Sequence, residues 1–199
     1  MEINLILAIT DIKDGSGDEY AFGANNDLVC TNSLDMKRFK SLTGSHPMIM
    51  GRATFESMGA KPLPNRPAIV ITSKSHAKLG THAEMGKGKV KLEPSYDDAI
   101  AYAKNTLQAK ECWVIGGVRV IKEAISRGDV DNVFVTRFVI SVPRESVDRV
   151  ITSDDLQGTE LHIHSSEGHQ QIQSKVLGED MLVDTHFIQL SRNKSEMSA

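Results

Sequence analysis

The chain has 199 residues (21.8 kDa), 40% of them apolar and 25% charged, which excludes a disordered or fibrous protein. Its 26 acidic against 23 basic side chains leave a net charge of −3, which speaks against a duplex-coating nucleic-acid binder. No apolar run approaches the roughly 20 residues that cross a bilayer.

The start, Met1-Glu2-Ile3-Asn4-Leu5, predicts no secretory leader, and Cys30 and Cys112 form no CxxC pattern or disulfide framework. A cytoplasmic α/β protein is expected. The first element is the nearly all-apolar stretch 3–9, a strand covered on both faces. The polar insert 14–19 reads as an exposed loop before Tyr20-Ala21-Phe22-Gly23. Ser33 is placed to cap a helix carrying Leu34, Met36, Phe39 and Leu42 that ends before Gly44. Pro47-Met48-Ile49-Met50 predicts a short buried strand running into a helix from Gly51 to near Gly59.

Residues 68–72 predict another buried strand, and 74–91 a loop with one weak strand. Ser95 caps a helix with Ala99, Ile100, Ala103 and Leu107 at helical spacing. Cys112-Trp113-Val114-Ile115 reads as a strand, and Gly116-Gly117 opens a helix that a left-handed Gly128 closes. Strands follow over 133–142, 161–164, 171–176 and 182–190. The pattern predicts one α/β domain over residues 1–190, a mixed, mainly parallel central sheet with helices on both faces, and a polar tail over 191–199.

Ligands of open α/β sheets sit beyond the carboxyl ends of strands, where helix starts present free N–H groups. Two places have that form: Met50-Gly51-Arg52-Ala53-Thr54 and Ile115-Gly116-Gly117-Val118-Arg119. Either one alone is as readily a tight turn with solvated arginines as an anion site. Together they suit a dinucleotide, although no G-x-G-x-x-G and no P-loop is present. Asp35 stands in a first helical turn, four residues before Phe39 on the same face. If that face is buried, its carboxylate suits the N–H donors of a flat heterocycle; otherwise it only decorates the helix start, worth about 0.3–1 kcal/mol.

Asp35-Met36-Lys37-Arg38-Phe39-Lys40, Pro47-Met48-Ile49-Met50-Gly51-Arg52-Ala53-Thr54-Phe55-Glu56-Ser57-Met58-Gly59 and Pro62-Leu63-Pro64-Asn65-Arg66 stand in that order. With Phe22-Gly23-Ala24-Asn25-Asn26-Asp27-Leu28, Val114-Ile115-Gly116-Gly117-Val118-Arg119-Val120 and Thr136, they make the chain resemble dihydrofolate reductase. The resemblance runs from about Ile3 to about Phe187, and beyond Ile140 it rests on strands alone.

The resemblance implies reduction of 7,8-dihydrofolate to 5,6,7,8-tetrahydrofolate with NADPH. It implies that Asp35 holds the pterin amino group and adjacent ring nitrogen, with Thr136 in the same network. Ile6 and Ile115 would offer carbonyls to the pterin amine; Leu7, Met36, Phe39, Met58 and Leu63 would wall the pocket; and Arg66 would grip the glutamate tail. For the cofactor it implies Ala8, Gly23, Asn26, Asp27 and Leu28 near the nicotinamide. Ala53, Thr54, Gly116, Gly117 and Val118 would lie at the pyrophosphate, Arg52, Ser73 and Arg119 at the adenosine 2′-phosphate, and Gly51, Thr72 and Val120 elsewhere along the cofactor. The Gly116-Gly117 peptide would be cis.

The chain departs from the family where Val29-Cys30 replaces the usual Pro-Trp, which touches the water near the pterin. A riboflavin-pathway-type pyrimidine reductase, or a non-catalytic nucleotide-binding module of the same fold, are the competing expectations. A monomer or homodimer with no nucleic-acid or membrane partner is expected, with thymidylate synthase as a metabolic neighbour. His162, His164, His169 and His186 are read as an exposed strand face rather than a zinc site. Lys87, Lys89 and Lys91 are read as a solvated edge strand.

Overall fold

The structure is a computed structural model that describes residues 1–13, 17–73, 90–157 and 159–192, the side chains of Leu161 and His162 excepted. In chain order they form β1 (Glu2–Lys13), β2 (Glu19–Ala24), β3 (Asp27–Leu28), β4 (Cys30–Thr31), α1 (Ser33–Thr43), β5 (Met48–Gly51), α2 (Arg52–Ser57), β6 (Ala68–Ile71) and β7 (Val90–Glu93). There follow α3 (Tyr96–Ala101), β8 (Glu111–Gly116), α4 (Val118–Ser126), β9 (Asn132–Pro143), β10 (Arg149–Thr152), β11 (Thr159–Ser174) and β12 (Asp180–Arg192).

The chain divides into two compact units, Met1–Leu5 with Ser41–Asp129, and Ile6–Lys40 with Val130–Ala199. In the first unit, residues 2–5 of β1 pair in parallel with β8, β8 with β5, β5 with β6, and β6 with β7. Met48, Ile49 and Met50 of β5 are buried without alternation, as in a strand covered on both faces of its sheet. Ser95 caps α3, its Oγ accepting from the Asp98 N–H at 3.1 Å, and a π-helical turn over Tyr102–Thr106 extends that helix. α4 buries Val120, Ile121 and Ala124, and it is closed by Gly128 at φ +77°.

The second unit is antiparallel: β9 pairs with β12, β12 with β11, and β11 with β4. A side group pairs β2 with β1, β10 and β3. The mixed order expected from the sequence is met, with parallel pairing in the first unit and antiparallel pairing of β9, β12, β11 and β4 in the second. Ile12, Val29, Cys30, Phe138, Val147 and Ile172 lie in this unit's core.

Three local expectations are corrected. Asn32, not Ser33, caps α1: its Oδ1 accepts the Asp35 N–H at 2.6 Å, and Ser33 is the first helical residue. The two strands expected over 161–164 and 171–176 are one, β11, which ends at Ser174 and so leaves Val176 outside it. Register shifts between Leu161 and Ile163 and between Ser166 and His169 carry its pairing through the polar middle. The tail does not begin at Ser191, because Ser191 pairs with Asn132 and the Arg192 N–H donates to the Asp131 carbonyl at 3.1 Å. Backbone pairing does not depend on the polarity of the side chains that ride on it.

β7 begins at Val90, at the end of the segment 74–91 in which one weak strand is expected, and there Lys91 reaches Glu93 at 3.4 Å. Residues 74–89, with Lys87 and Lys89, and residues 14–16 and 193–199 lie outside the described residues. Strands β2 and β10 were not anticipated. Among the described residues, no helix is long and apolar enough to cross a membrane.

Candidate active site

In the second unit a carboxylate site is built on the start of α1. The Asn32 cap holds the first turn, which points Asp35 inward, so that it is only 7% exposed. From β9 the fully buried Thr136 donates its hydroxyl to Asp35 Oδ1 at 2.6 Å. Burial pushes the Asp35 carboxyl above its ordinary range, while the Thr136 hydrogen bond and the Arg38 charge pull it back. Asp35 and Thr136, named together from the sequence, are in direct contact.

Arg38 is a component that the sequence reading missed. Its Nη1 donates to Thr136 Oγ1 at 3.2 Å and to the Val135 carbonyl at 3.4 Å. The guanidinium carbon lies 4.3 Å from the centre of the Phe187 ring. The signal was present, since Arg38 stands three residues after Asp35 on one helix. Burial lowers the Arg38 pKa, and the Asp35 and Glu167 carboxylates oppose that.

Other expected residues of this unit lie on β1, on α1 and in the hairpin of β2 and β3. Ile6 and Leu7 are buried in β1 and Ala8 is half-buried. On α1, Phe39 is half-buried and Met36 is 39% exposed. Gly23, Asn26, Asp27 and Leu28 form a tight hairpin in which Gly23 pairs with Leu28. Asn25 and Asn26 have φ +50° and +64°, as a two-residue I′ turn requires. Cys30, where the family has tryptophan, is buried; burial pushes its thiol up to about 11, which makes it unreactive at neutral pH.

In the first unit two strand-to-helix turns lie side by side, because Met50 of β5 pairs with Gly116 of β8. The Gly116-Gly117 peptide is cis. A Cβ on Gly117 would lie 3.2 Å from Thr54 Oγ1, and one on Gly51 3.4 Å from Val120 Cγ2 and 3.7 Å from the Gly117 nitrogen. Gly51, Thr54, Gly117 and Val120 are thus one cradle that side chains would fill. The Val120 N–H is bonded to the Gly117 carbonyl at 2.9 Å, while Val118 is half-buried and Arg119 exposed. Ala53 is exposed, and Arg52 is held bidentately by Glu56 at 2.7 and 2.8 Å.

Thr72 and Ser73 follow β6, the Thr72 N–H donating to the Glu93 carbonyl at 2.9 Å. Arg66 is 8% exposed, donating through Nε to Thr43 Oγ1 at 3.1 Å and through Nη1 to the Pro64 carbonyl at 3.3 Å. Those bonds set the plane of its guanidinium, which suits a carboxylate. Met58, Leu63 and Ile115 are half-buried.

His164 and His186 meet at 3.2 Å on an exposed face, and the His162 side chain lies outside the described residues. Among the described residues, no group of three or more His, Cys, Asp or Glu could hold a metal ion.

Comparison with known proteins adds a family. The dihydrofolate reductase family profile matches residues 3–176. The bifunctional dihydrofolate reductase-thymidylate synthase of Paramecium tetraurelia is 33% identical over 115 residues, 58% of this chain and 22% of that one. Dihydrofolate reductase type 3 of Salmonella typhimurium is 32% identical over 113 residues, 53% of this chain and 62% of that one. The dihydrofolate reductase of Bacillus subtilis (strain 168) is 35% identical over 107 residues, 54% and 56% of the two chains. The chain thus spans less than two-thirds of each of these relatives. In fold it is similar to dihydrofolate reductase from Enterococcus faecalis complexed with NADP(H) and RAB-propyl, with TM-score 0.71, 24% identity and 96% of each chain covered.

Proposed function

The chain belongs to the dihydrofolate reductase family, and on that premise we propose that it reduces 7,8-dihydrofolate to 5,6,7,8-tetrahydrofolate with NADPH. The observation that carries this reading is the buried Asp35 carboxyl held by Thr136 at 2.6 Å. A carboxylate in an apolar setting is costly unless its oxygens find donors. Thr136 supplies one to Oδ1, and a heterocycle offering an amino group beside a ring N–H supplies the others.

The residues present also fit the cofactor. The cradle of Gly51, Thr54 and Gly117 leaves backbone exposed where a Cβ would intrude, as a pyrophosphate needs. Ala53, Thr54, Gly116, Gly117 and Val118 would hold that group, and Arg52, Ser73 and Arg119 the 2′-phosphate, Arg52 exchanging Glu56 for it. Ala8 and the 23–28 hairpin would flank the nicotinamide. When bound, NADPH supplies the hydride that pterin C6 receives.

The chain itself binds, orients and tunes. Asp35 fixes the pterin by its amino group and ring nitrogen, and its charge raises the proton affinity of N5, to which water delivers the proton. Phe39 packs on the ring, and Arg66 holds the acidic tail. Alignment of the two rings supplies much of the rate effect. The enzyme works in the cytoplasm as a monomer or homodimer, beside a thymidylate synthase that regenerates its substrate.

The test is a spectrophotometric assay of NADPH oxidation with dihydrofolate. The native protein should turn over, and Asp35→Asn should lose at least about 100-fold in kcat/KM. A folded native protein that binds NADPH without oxidising it, or near-normal turnover by Asp35→Asn, overturns the reading.

A further inference from the structure

We propose that Arg38 is a positioning residue for Asp35: it acts through Thr136, orienting that hydroxyl toward the carboxylate and keeping the carboxylate charged in its buried setting. The inference deepens the reductase reading and rests on it for the statement that Asp35 meets substrate.

The argument begins with the inventory of one hydroxyl. Thr136 Oγ carries a single hydrogen and can accept through its lone pairs. Arg38 Nη1, which can only donate, lies 3.2 Å from that oxygen. The oxygen is therefore the acceptor toward Arg38, and its own hydrogen is directed to the other neighbour, Asp35 Oδ1 at 2.6 Å. The result is a one-way chain from guanidinium to hydroxyl to carboxylate. Such a chain favours the form of Asp35 that accepts, and each link polarises the next.

Arg38 is itself held in place. It stands on the third residue after Asp35, its Nη1 also donates to the Val135 carbonyl at 3.4 Å, and its guanidinium carbon lies 4.3 Å from the Phe187 ring centre. Phe134 flanks it at 5.9 Å. Stacking of this kind suits the planar guanidinium and not a lysine ammonium.

Among the described residues, the charged groups around the pair are these. On α1, Lys37 and Lys40 are exposed. On β9 the neighbour of Thr136, Arg137, is engaged by Asp11, its Nη2 meeting Oδ1 at 2.8 Å. From β11, Glu167 faces Arg38 and supports its charge. On β12, Phe187 lies against Arg38, and the adjacent His186 is paired with His164 at 3.2 Å. Burial and Thr136 apart, Arg38 is the group that acts on the Asp35 carboxyl. The sign is then set: without the cation, burial is less opposed and the carboxyl holds its proton to higher pH.

The experiment is a carbon-13 NMR titration of the Asp35 carboxyl in the ligand-free full chain, the signal assigned by its loss in Asp35→Asn. Arg38→Met keeps apolar bulk over Phe187 and removes the charge, and its midpoint should rise by at least about one unit. Arg38→Lys, which keeps the charge and loses the fork, should give a smaller rise. The acid limb of kcat/KM for dihydrofolate should move upward in the same order. An unchanged midpoint in Arg38→Met, or an equal rise in Arg38→Lys, overturns the proposal; should Arg38→Met fail to fold, Arg38→Gln replaces it with the same criteria. The titration needs no substrate, so its failure is distinct from failure of the reductase reading, which would show as no NADPH oxidation by the native chain.

Discussion

Thr136 donates its hydroxyl hydrogen to Asp35 Oδ1 at 2.6 Å, tying the first turn of α1 to β9 across 101 residues of sequence. Despite that bond, burial holds the carboxyl above its ordinary value of 3.8. The folded state therefore binds the proton more tightly than the unfolded chain does. Its contribution to stability is complete below the unfolded value and is lost as pH rises through the folded one. Asparagine at this position keeps an acceptor for Thr136 and has no charge to bury. Asp35→Asn should accordingly be more stable than the native protein at pH 7, with the gain shrinking as pH falls toward 4 (a function-for-stability exchange). Urea unfolding at both pH values measures it, and a less stable variant at pH 7 contradicts it.

Asn32 sets the geometry on which that carboxylate depends. Its Oδ1 accepts the Asp35 N–H at 2.6 Å, while its buried Nδ2 has no hydrogen-bond partner among the described residues. Asn32→Ala removes the cap and should destabilise the protein by about 1 kcal/mol. Serine retains an acceptor of the right reach and discards the stranded amide, so Asn32→Ser should stay within about 0.5 kcal/mol of the native protein. Chemical denaturation of both variants checks the pair. Equal losses in alanine and serine would show that the side-chain oxygen is not what holds the turn.

The sequence made the glycine turns and Asp35 legible for different reasons. A glycine directly after a branched apolar run marks a strand-to-helix turn wherever it occurs, so Gly51 and Gly116-Gly117 stand out singly. That they form one cradle depends on Met50 pairing with Gly116, a contact between segments 66 residues apart that periodicity does not encode. Asp35 and Phe39 share a face by helical spacing alone, and burial of that face needed β9. Ser33 and Asn32 are both good capping residues, and only the fold chooses between them. Ser165-Ser166-Glu167-Gly168 has the composition of a loop, whereas register shifts let the strand β11 carry such residues. A lone arginine on a helix is usually solvated, and it is Phe187, 149 residues away, that makes Arg38 otherwise.

The cradle in the first unit yields the sharpest substitution. Gly117 has φ −76° and ψ −169°, a conformation open to any L residue, so Gly117→Ala adds no left-handed strain. What it adds is a methyl group 3.2 Å from Thr54 Oγ1, closer than such atoms normally pack. Thr54 must then give way by a few tenths of an ångström at the position proposed to meet the pyrophosphate. Gly117→Ala should therefore keep its stability within about 1 kcal/mol of native and weaken NADPH binding by roughly tenfold or more. Gly59→Ala is the contrasting control. A Cβ on Gly59 would meet nothing within 4 Å among the described residues beyond its chain neighbours, yet φ is +77°, so alanine there should cost about 1 kcal/mol of stability and leave NADPH affinity alone. A double-mutant cycle isolates the contact: with Thr54→Ala in place the clash is gone, and adding Gly117→Ala should weaken binding far less than it does in the native chain. Fluorescence titration of NADPH against the four proteins reads the cycle. Purely additive losses would mean that the methyl group acts directly on the ligand and not through the Thr54 hydroxyl.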